Sequence, residues 1–467
     1  MKLYNLNSLL GTSAIAISLM GANAHAMTML EAVQRALHTN PEIGQAVANR
    51  AGVQFELEQG KGLKLPKIDL QGDIGGELAD NSSSRALGTQ DTLFLRREAS
   101  LVVHQNLFDG YAAKAEIQHQ ASRVDSASNR VRERSEFIVL SVIHEYLEMQ
   151  RASRVIALAK DNIAYHQRIL SLISAASSGG TASIADKQQA RERVYAAQAK
   201  LTESVEDLRV SEATFIKLVG EDPGKIGKNI GVKGKLPPSL KAALDRARAH
   251  HPSVKFAQAD VDAASAQVLA AESRYYPKLS LEGRAMVGQD LSGVQGNTTD
   301  LQGNLVLNWN LYNGGIDKNN KQEQIRHVDE ALQALHKIGR EVDEGVRQSW
   351  VRRNQQSERL TQLLRDLSAI DQLRGSYLQE FKIGQRSLLD LLDTQNNRFG
   401  VQVAIATSDS AVKFADYRLM ASTGDLLQGL NVQPLSDTHT YARKDYDVPP
   451  TPAPESYVRT EPTPPKS

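Results

Sequence analysis

Pro66-Lys67-Ile68-Asp69-Leu70-Gln71-Gly72 recurs as Pro277-Lys278-Leu279-Ser280-Leu281-Glu282-Gly283, and Gln105-Asn106-Leu107-Phe108-Asp109-Gly110 recurs as Trp309-Asn310-Leu311-Tyr312-Asn313-Gly314. Farther along, Gly180-x-x-Ser183-x-x-Asp186 returns as Gly384-x-x-Ser387-x-x-Asp390, and Gly220-Glu221 as Gly424-Asp425. The chain is therefore a duplication, and the architecture has to be read as one unit used twice. The offset is 211 for Pro41/Pro252, Pro66/Pro277 and Gly72/Gly283 but 204 for Gly110/Gly314, Gly180/Gly384 and Gly220/Gly424, so seven residues differ between positions 72 and 110. That variable stretch behaves as an exposed loop.

Proline marks the boundaries. None occurs between 67 and 222 or between 278 and 433, while eight of the 15 lie at or after Pro434. In the first free stretch apolar residues return every seven positions, at Ile117, Val124, Val131 and Ile138, then at Val142, Met149, Ile156, Ile163 and Leu170, then at Val194, Leu201, Leu208 and Phe215. The second copy repeats this with Val328, Leu335 and Val342, with Leu363, Ile370 and Tyr377, and with Ile405, Val412, Leu419 and Leu426. A sustained seven-residue period predicts helices wound on one another as coiled coils. The spacing predicts two long helical hairpins, over 110–219 and 315–423, turning at Gly179-Gly180 and at Gly384.

Ahead of each hairpin the period changes from seven to two. Ile68, Leu70, Gly72 and Ile74 alternate with Asp69, Gln71 and Asp73, and Leu301, Gly303, Leu305, Leu307 and Trp309 alternate with Gln302, Asn304, Val306 and Asn308. Strands are expected near 67–77, 93–108, 278–288 and 301–311, with aromatic residues at their ends (Phe94, Phe108, Tyr275, Tyr276, Trp309, Tyr312). One apolar and one polar face with aromatic ends is the pattern of a membrane β-barrel wall. Four strands cannot close a barrel, and open edges are not tolerated in lipid. The barrel must be shared between copies of the chain.

Composition narrows the function classes. Lys and Arg number 55 against 54 Asp and Glu, a balance that gives no support to a nucleic-acid partner. Cysteine is absent, which excludes disulfides, thiol chemistry and an acylated N-terminal cysteine. Lys2, the apolar stretch Leu9 to Met20 and Ala24-His25-Ala26 read as a cleavable signal over 1–26, so an exported protein beginning near Met27 is expected. Repeats at 27–220 and 240–430 flank a linker at 221–239, and the Pro-rich residues 431–467 are expected to be disordered. There is no His-Glu-x-x-His, no Gly-x-x-x-x-Gly-Lys-Ser/Thr and no Gly-x-Ser-x-Gly, and no cofactor, resident metal or enzymatic activity is expected. His250-His251 before Pro252 is accounted for by helix capping.

With its signal segment, duplicated strand-strand-hairpin units, Phe381-x-x-Gly384-x-x-Ser387 and Leu388-Leu389-Asp390-Leu391-Leu392-Asp393, the chain resembles the TolC family of outer-membrane channels over about 28–430. Leu30-Glu31-Ala32-x-x-x-Ala36-Leu37-x-x-Asn40-Pro41 is similar to that family's first helix. The resemblance implies a mixed α and β fold and a homotrimer, with a twelve-stranded outer-membrane barrel continued by an α-helical tunnel. A periplasmic adaptor and an inner-membrane transporter are the implied partners. It also implies a constriction at Asp390 and Asp393, with Arg386, Asp186 and Phe381 in the links that hold it shut. Phe381 stands where the family often has tyrosine, so a hydroxyl link is lost there. The hairpin tips Gly180-Thr181 and Gly384-Gln385 are the implied adaptor contacts.

Asp390 and Asp393 are spaced i, i+3 and share one helix face, so threefold assembly would stack two carboxylate rings that favour cation binding and block. Ser183-x-x-Asp186 and Ser387-x-x-Asp390 also fit helix capping boxes, which would account for Asp186 and Asp390 but not for Asp393. A periplasmic coiled-coil adaptor or scaffold with a soluble β domain is the competing reading.

Overall fold

The computed structural model describes residues 27–227, 231 and 236–453. The expected signal segment, part of the expected linker and residues 454–467 lie outside the described residues.

The duplication is visible element by element. Helices α1 (Met29–Thr39) and α2 (Pro41–Gly62) lead into β1 (Lys67–Glu77), a short α3 (Ser82–Leu87), β2 (Phe94–Phe108), then α4 (Ala112–Ser178) and α5 (Ile184–Val219). The second copy runs α6 (Leu240–His250), α7 (Pro252–Glu272), β3 (Lys278–Gln289), β4 (Asn297–Asn308), α8 (Ile316–Lys382) and α9 (Leu388–Ser422), followed by α10 (Leu426–Gly429) and α11 (Ala442–Asp445). Local chemistry sets the starts: Thr28 and Glu31 form a capping box on α1, and Asn40 caps α2 ahead of Pro41. α3 has no counterpart between β3 and β4, so the extra length of the first copy sits in the loop after β1.

α4 and α8 each contain 67 residues, about 100 Å at ~1.5 Å per residue. In α4 the first heptad series, Ile117, Val124, Val131 and Ile138, is buried throughout. α8 is more exposed, with only Leu335, Val342, Val346 and Ser349 buried along its length, because it forms one side of the single chain. The main core lies midway, where Met29, Tyr146, Phe215, Met420 and Leu426 join α1, α4, α5, α9 and α10. Among the described residues no helix is long and apolar enough to cross a membrane.

Each strand-to-helix passage needs two successive left-handed residues, Gly110 and Tyr111 (φ 70° and 72°) in the first copy and Gly314 and Gly315 (71° and 81°) in the second. At Gly110 a Cβ would also stand 2.4 Å from the Ser273 carbonyl oxygen, so both backbone angle and space call for glycine.

The four strands form one antiparallel sheet in the order β1-β2-β3-β4. The register places Leu70 beside Leu101, Leu101 beside Ala285 and Ala285 beside Leu301, an apolar row across the whole sheet. One residue along, Asp69, Val102, Arg284 and Gln302 form the neighbouring row on the other face. Leu70 and Leu301 are 80% and 84% exposed, so the apolar face has no cover within the chain. On the polar face Arg96 and Arg284 both engage Glu98, and Arg96 Nε lies 3.3 Å from Asp73. β2 pairs with β3 through a register shift between Asn106 and Phe108, at the end next to the helical hairpin. β4 begins at Asn297 rather than 301 and ends at Asn308. Its polar start, Asn297-Thr298-Thr299-Asp300, carries no alternation and is held by backbone pairing to β3.

The expectation of a disordered tail is corrected over residues 431–453. Tyr441, Ala442 and Tyr446 pack with Val53, Leu57, Ile117 and Val124. The buried Asp125 accepts the backbone N–H groups of Tyr441, Ala442 and Arg443 at 2.9, 3.0 and 3.2 Å. Composition pointed to disorder because this segment has little apolar surface of its own. It is held by acceptors that the helices supply.

Candidate functional site

The residues singled out by the sequence gather at the far ends of the hairpins. Both turns use a left-handed glycine, Gly180 (φ 77°) and Gly384 (φ 78°), and both close with the same pair of backbone bonds. Gly180 N–H donates to Ser177 O and Thr181 N–H to Ala176 O, while Gly384 N–H donates to Phe381 O and Gln385 N–H to Glu380 O. Gly180, Thr181, Gly384 and Gln385 are all exposed at these tips.

Above the tips an apolar cluster binds the hairpins together. Leu388, Leu391 and Leu392 of α9 pack on Ile169 and Ile173 of α4 and Ala190 of α5, with the half-buried Phe381 against them. With the leucines turned inward, Asp390 and Asp393 are left on the outer face, their side chains 41% and 51% exposed.

The acidic residues have different partners. Ser183 and Asp186 form a complete capping box, with Ser183 Oγ donating to Asp186 Oδ2 at 2.7 Å. At the start of α9 Ser387 caps the helix without the return bond of a full box: its Oγ accepts the Asp390 backbone N–H at 3.2 Å and donates to Asp390 Oδ2 at 2.7 Å. Asp393 is not a cap. It accepts from Arg193 Nη2 of α5 at 2.9 Å. Arg386 donates from Nε to Glu380 at 2.8 Å, with Nη2 also 2.8 Å from that carboxylate, lies 4.2 Å from the Tyr377 ring centroid, and places Nη1 3.8 Å from Asp390. The bond to Glu380 also holds the Arg386 guanidinium above its ordinary pKa. Asp186 is thus spent on its own helix start, and within one chain Arg386 turns to Glu380 rather than to Asp186. Phe381, with no hydroxyl, serves the apolar cluster.

Three residues beside the site escaped the sequence reading: Arg193, Asn162 and Gln395. Gln395 Nε2 donates to Asn162 Oδ1 at 2.9 Å and its Oε1 accepts from Arg374 Nη1 at 3.1 Å, a buried polar layer between α4, α8 and α9. His166 is buried beside it, and burial first, then the Arg193 charge, pushes its pKa down and keeps the ring neutral. The available signal was the heptad frame, in which polar residues at apolar-face positions mark a cross-helix layer.

The model of the outer membrane efflux protein family matches residues 32–221 and again 243–425, once per repeat. The chain belongs to the outer membrane efflux protein family. The outer membrane efflux protein BepC of Brucella suis is 24% identical over 437 residues, covering 91% of this chain and 92% of that one. Outer membrane protein TolC of Escherichia coli is 22% identical over 426 residues, covering 84% and 82%. Among solved structures, the Campylobacter jejuni CmeC outer membrane channel superposes with a TM-score of 0.74 at 15% identity, over 88% of this chain and 87% of that one. The fold is thus that of the TolC-like channels, and the chain is an outer-membrane efflux channel that extends into the periplasm. The competing reading of a soluble periplasmic scaffold is set aside by this match. The family is one of channels, not of enzymes.

Proposed function

We propose that three copies of the chain close a twelve-stranded barrel in the outer membrane, continue it as a tunnel of helical hairpins, and narrow it at Asp390 and Asp393. The observation that carries this reading is the sheet, whose outer strands β1 and β4 each have one unpaired edge and whose apolar face is uncovered. Identical neighbours satisfy the edges and lipid covers the face.

The carboxylate pair then forms two rings around the periplasmic mouth, and the tips at Gly180-Thr181 and Gly384-Gln385 reach a periplasmic adaptor. Chemical work is done by an inner-membrane transporter, since the duct holds no catalytic constellation among its described residues. An Arg386–Asp186 link that holds the gate shut is not made within one chain, so it joins neighbouring protomers and exchanges for the Arg386–Glu380 and Ser183–Asp186 bonds. The signal segment 1–26 delivers the chain to the periplasm and is removed. Replacing Asp390 and Asp393 together by alanine and recording single channels in a planar bilayer tests the constriction. Higher conductance and weaker block by divalent cations are expected, and unchanged values would take both residues out of the pore.

A further inference from the structure

The Arg193–Asp393 pair has no counterpart in the repeat. At the 204-residue offset Asp390 corresponds to Asp186, but Asp393 corresponds to Gln189 and Arg193 to Asn397. After duplication the first hairpin thus carries an added cation and the second an added anion, and they meet at 2.9 Å where α5 approaches α9.

The charges at this end divide unevenly. Arg386 is committed to Glu380, with Nε and Nη2 each 2.8 Å from its carboxylate, so its charge is already matched and its Nη1 stays 3.8 Å from Asp390. Asp390 receives a hydroxyl from Ser387 but no closer cation, whereas Asp393 has the Arg193 guanidinium at 2.9 Å, whose Nε also lies 3.6 Å from Glu192. Arg193 is also held in place, its side chain only 24% exposed and flanked by the buried His166.

We propose that Arg193 is the residue that sets the cation affinity of the periplasmic mouth, by withdrawing Asp393 so that a hydrated multivalent cation meets one ring of three carboxylates instead of two. The proposal rests on the reading of Asp390 and Asp393 as the constriction. Through-space attraction between unit charges at this separation is strong enough for one compensated ring to alter the binding of an ion at the constriction measurably.

Block by hexaamminecobalt(III) and by magnesium, added from the periplasmic side of purified trimers in planar bilayers, tests it. Arg193→Gln is expected to lower the half-blocking concentration about tenfold. Arg193→Lys keeps the charge and retains the parent's block, and Arg193→Gln with Asp393→Asn returns block to the parent level with no charge left unpaired. Asp390→Asn weakens block far more than Asp393→Asn does. If Arg193→Gln leaves block unchanged while Asp390→Asn weakens it, the constriction stands and the role of Arg193 is overturned. If none of these variants changes block, the constriction reading falls and this inference falls with it.

Discussion

Arg443 places its guanidinium between two buried carboxylates from different repeats, with Nε 3.1 Å from Asp125 on α4 and Nη1 2.6 Å from Asp262 on α7. Thr451 adds its N–H and hydroxyl to Asp262 at 2.8 and 2.6 Å, and Gln258 holds the Thr451 carbonyl at 2.9 Å. The C-terminal segment is therefore a clasp over the first and second units, on the part of α4 nearer the sheet. Arg443→Ala leaves Asp125 and Asp262 without their shared cation and is expected to cost about 3 kcal/mol. The temperature at which the trimer dissociates in detergent should fall, and an unchanged temperature would show that the clasp adds nothing.

Glu136 and His251 face a shared region near Arg132 and give stability a readable pH dependence. Burial pushes the Glu136 carboxyl up to about 7, against the pull of Arg132 with its Nε 3.5 Å away. Burial likewise pulls His251 down to about 4, with the Arg132 charge adding to it. A raised carboxyl pKa means that the folded state holds a proton the unfolded state has lost, so stability falls as pH rises from about 4.5 to 7. For His251 the depressed value means that stability falls as pH drops from about 6.5 to 4. Glu136→Gln should stabilise the protein by up to about 3 kcal/mol at pH 8 and by little at pH 4. His251→Asn copies Asn40 of the first repeat, keeps a cap for the Ser253 N–H, and should flatten the acid side. Thermal melts from pH 4 to 8 give both slopes.

At Gly110 an added methyl meets the Ser273 carbonyl, while at Gly88, also left-handed (φ 68°), nothing lies within 4 Å. Gly88→Ala should cost about 1 kcal/mol, the left-handed penalty alone. Gly110→Ala adds a clash with backbone and should abolish the assembled trimer on a gel. Equal yields from the two variants would refute the account of the strand-to-helix passage.

Leu301 and Gln302 are adjacent residues on opposite faces of β4. If the apolar row faces lipid, Leu301→Arg should destabilise the barrel by about 2–4 kcal/mol while Gln302→Arg is tolerated. Urea titration of protein folded into vesicles measures the difference, and equal effects would mean that the faces are reversed or not membrane-embedded.

The large features were legible because each rests on a pattern longer than any single contact. Ile117, Val124, Val131 and Ile138 announce a coiled-coil face, and Leu70 alternating with Asp69 and Gln71 announces a two-faced strand. What could not be read depends on partners far apart in the chain. Arg193 lies 200 residues from Asp393, and Arg443 lies 318 from Asp125. Neither pair leaves a periodic mark. The 297–300 end of β4 was missed for a related reason, since backbone pairing to β3 needs no apolar side chains. Asp390 shows the opposite limit: two roles, capping and pore, suit one residue from its position in the sequence, and the Ser387 bonds establish the cap without removing the carboxylate from the exposed face.

On the proposed reading one chain supplies only part of a wall, and the conduit exists once three identical chains meet in a bilayer. Native mass spectrometry of the detergent-extracted protein, with single-channel recording of the same sample, tests this most directly. A mass of three chains and discrete current steps in a planar bilayer are expected. A water-soluble monomer that never conducts would contradict it.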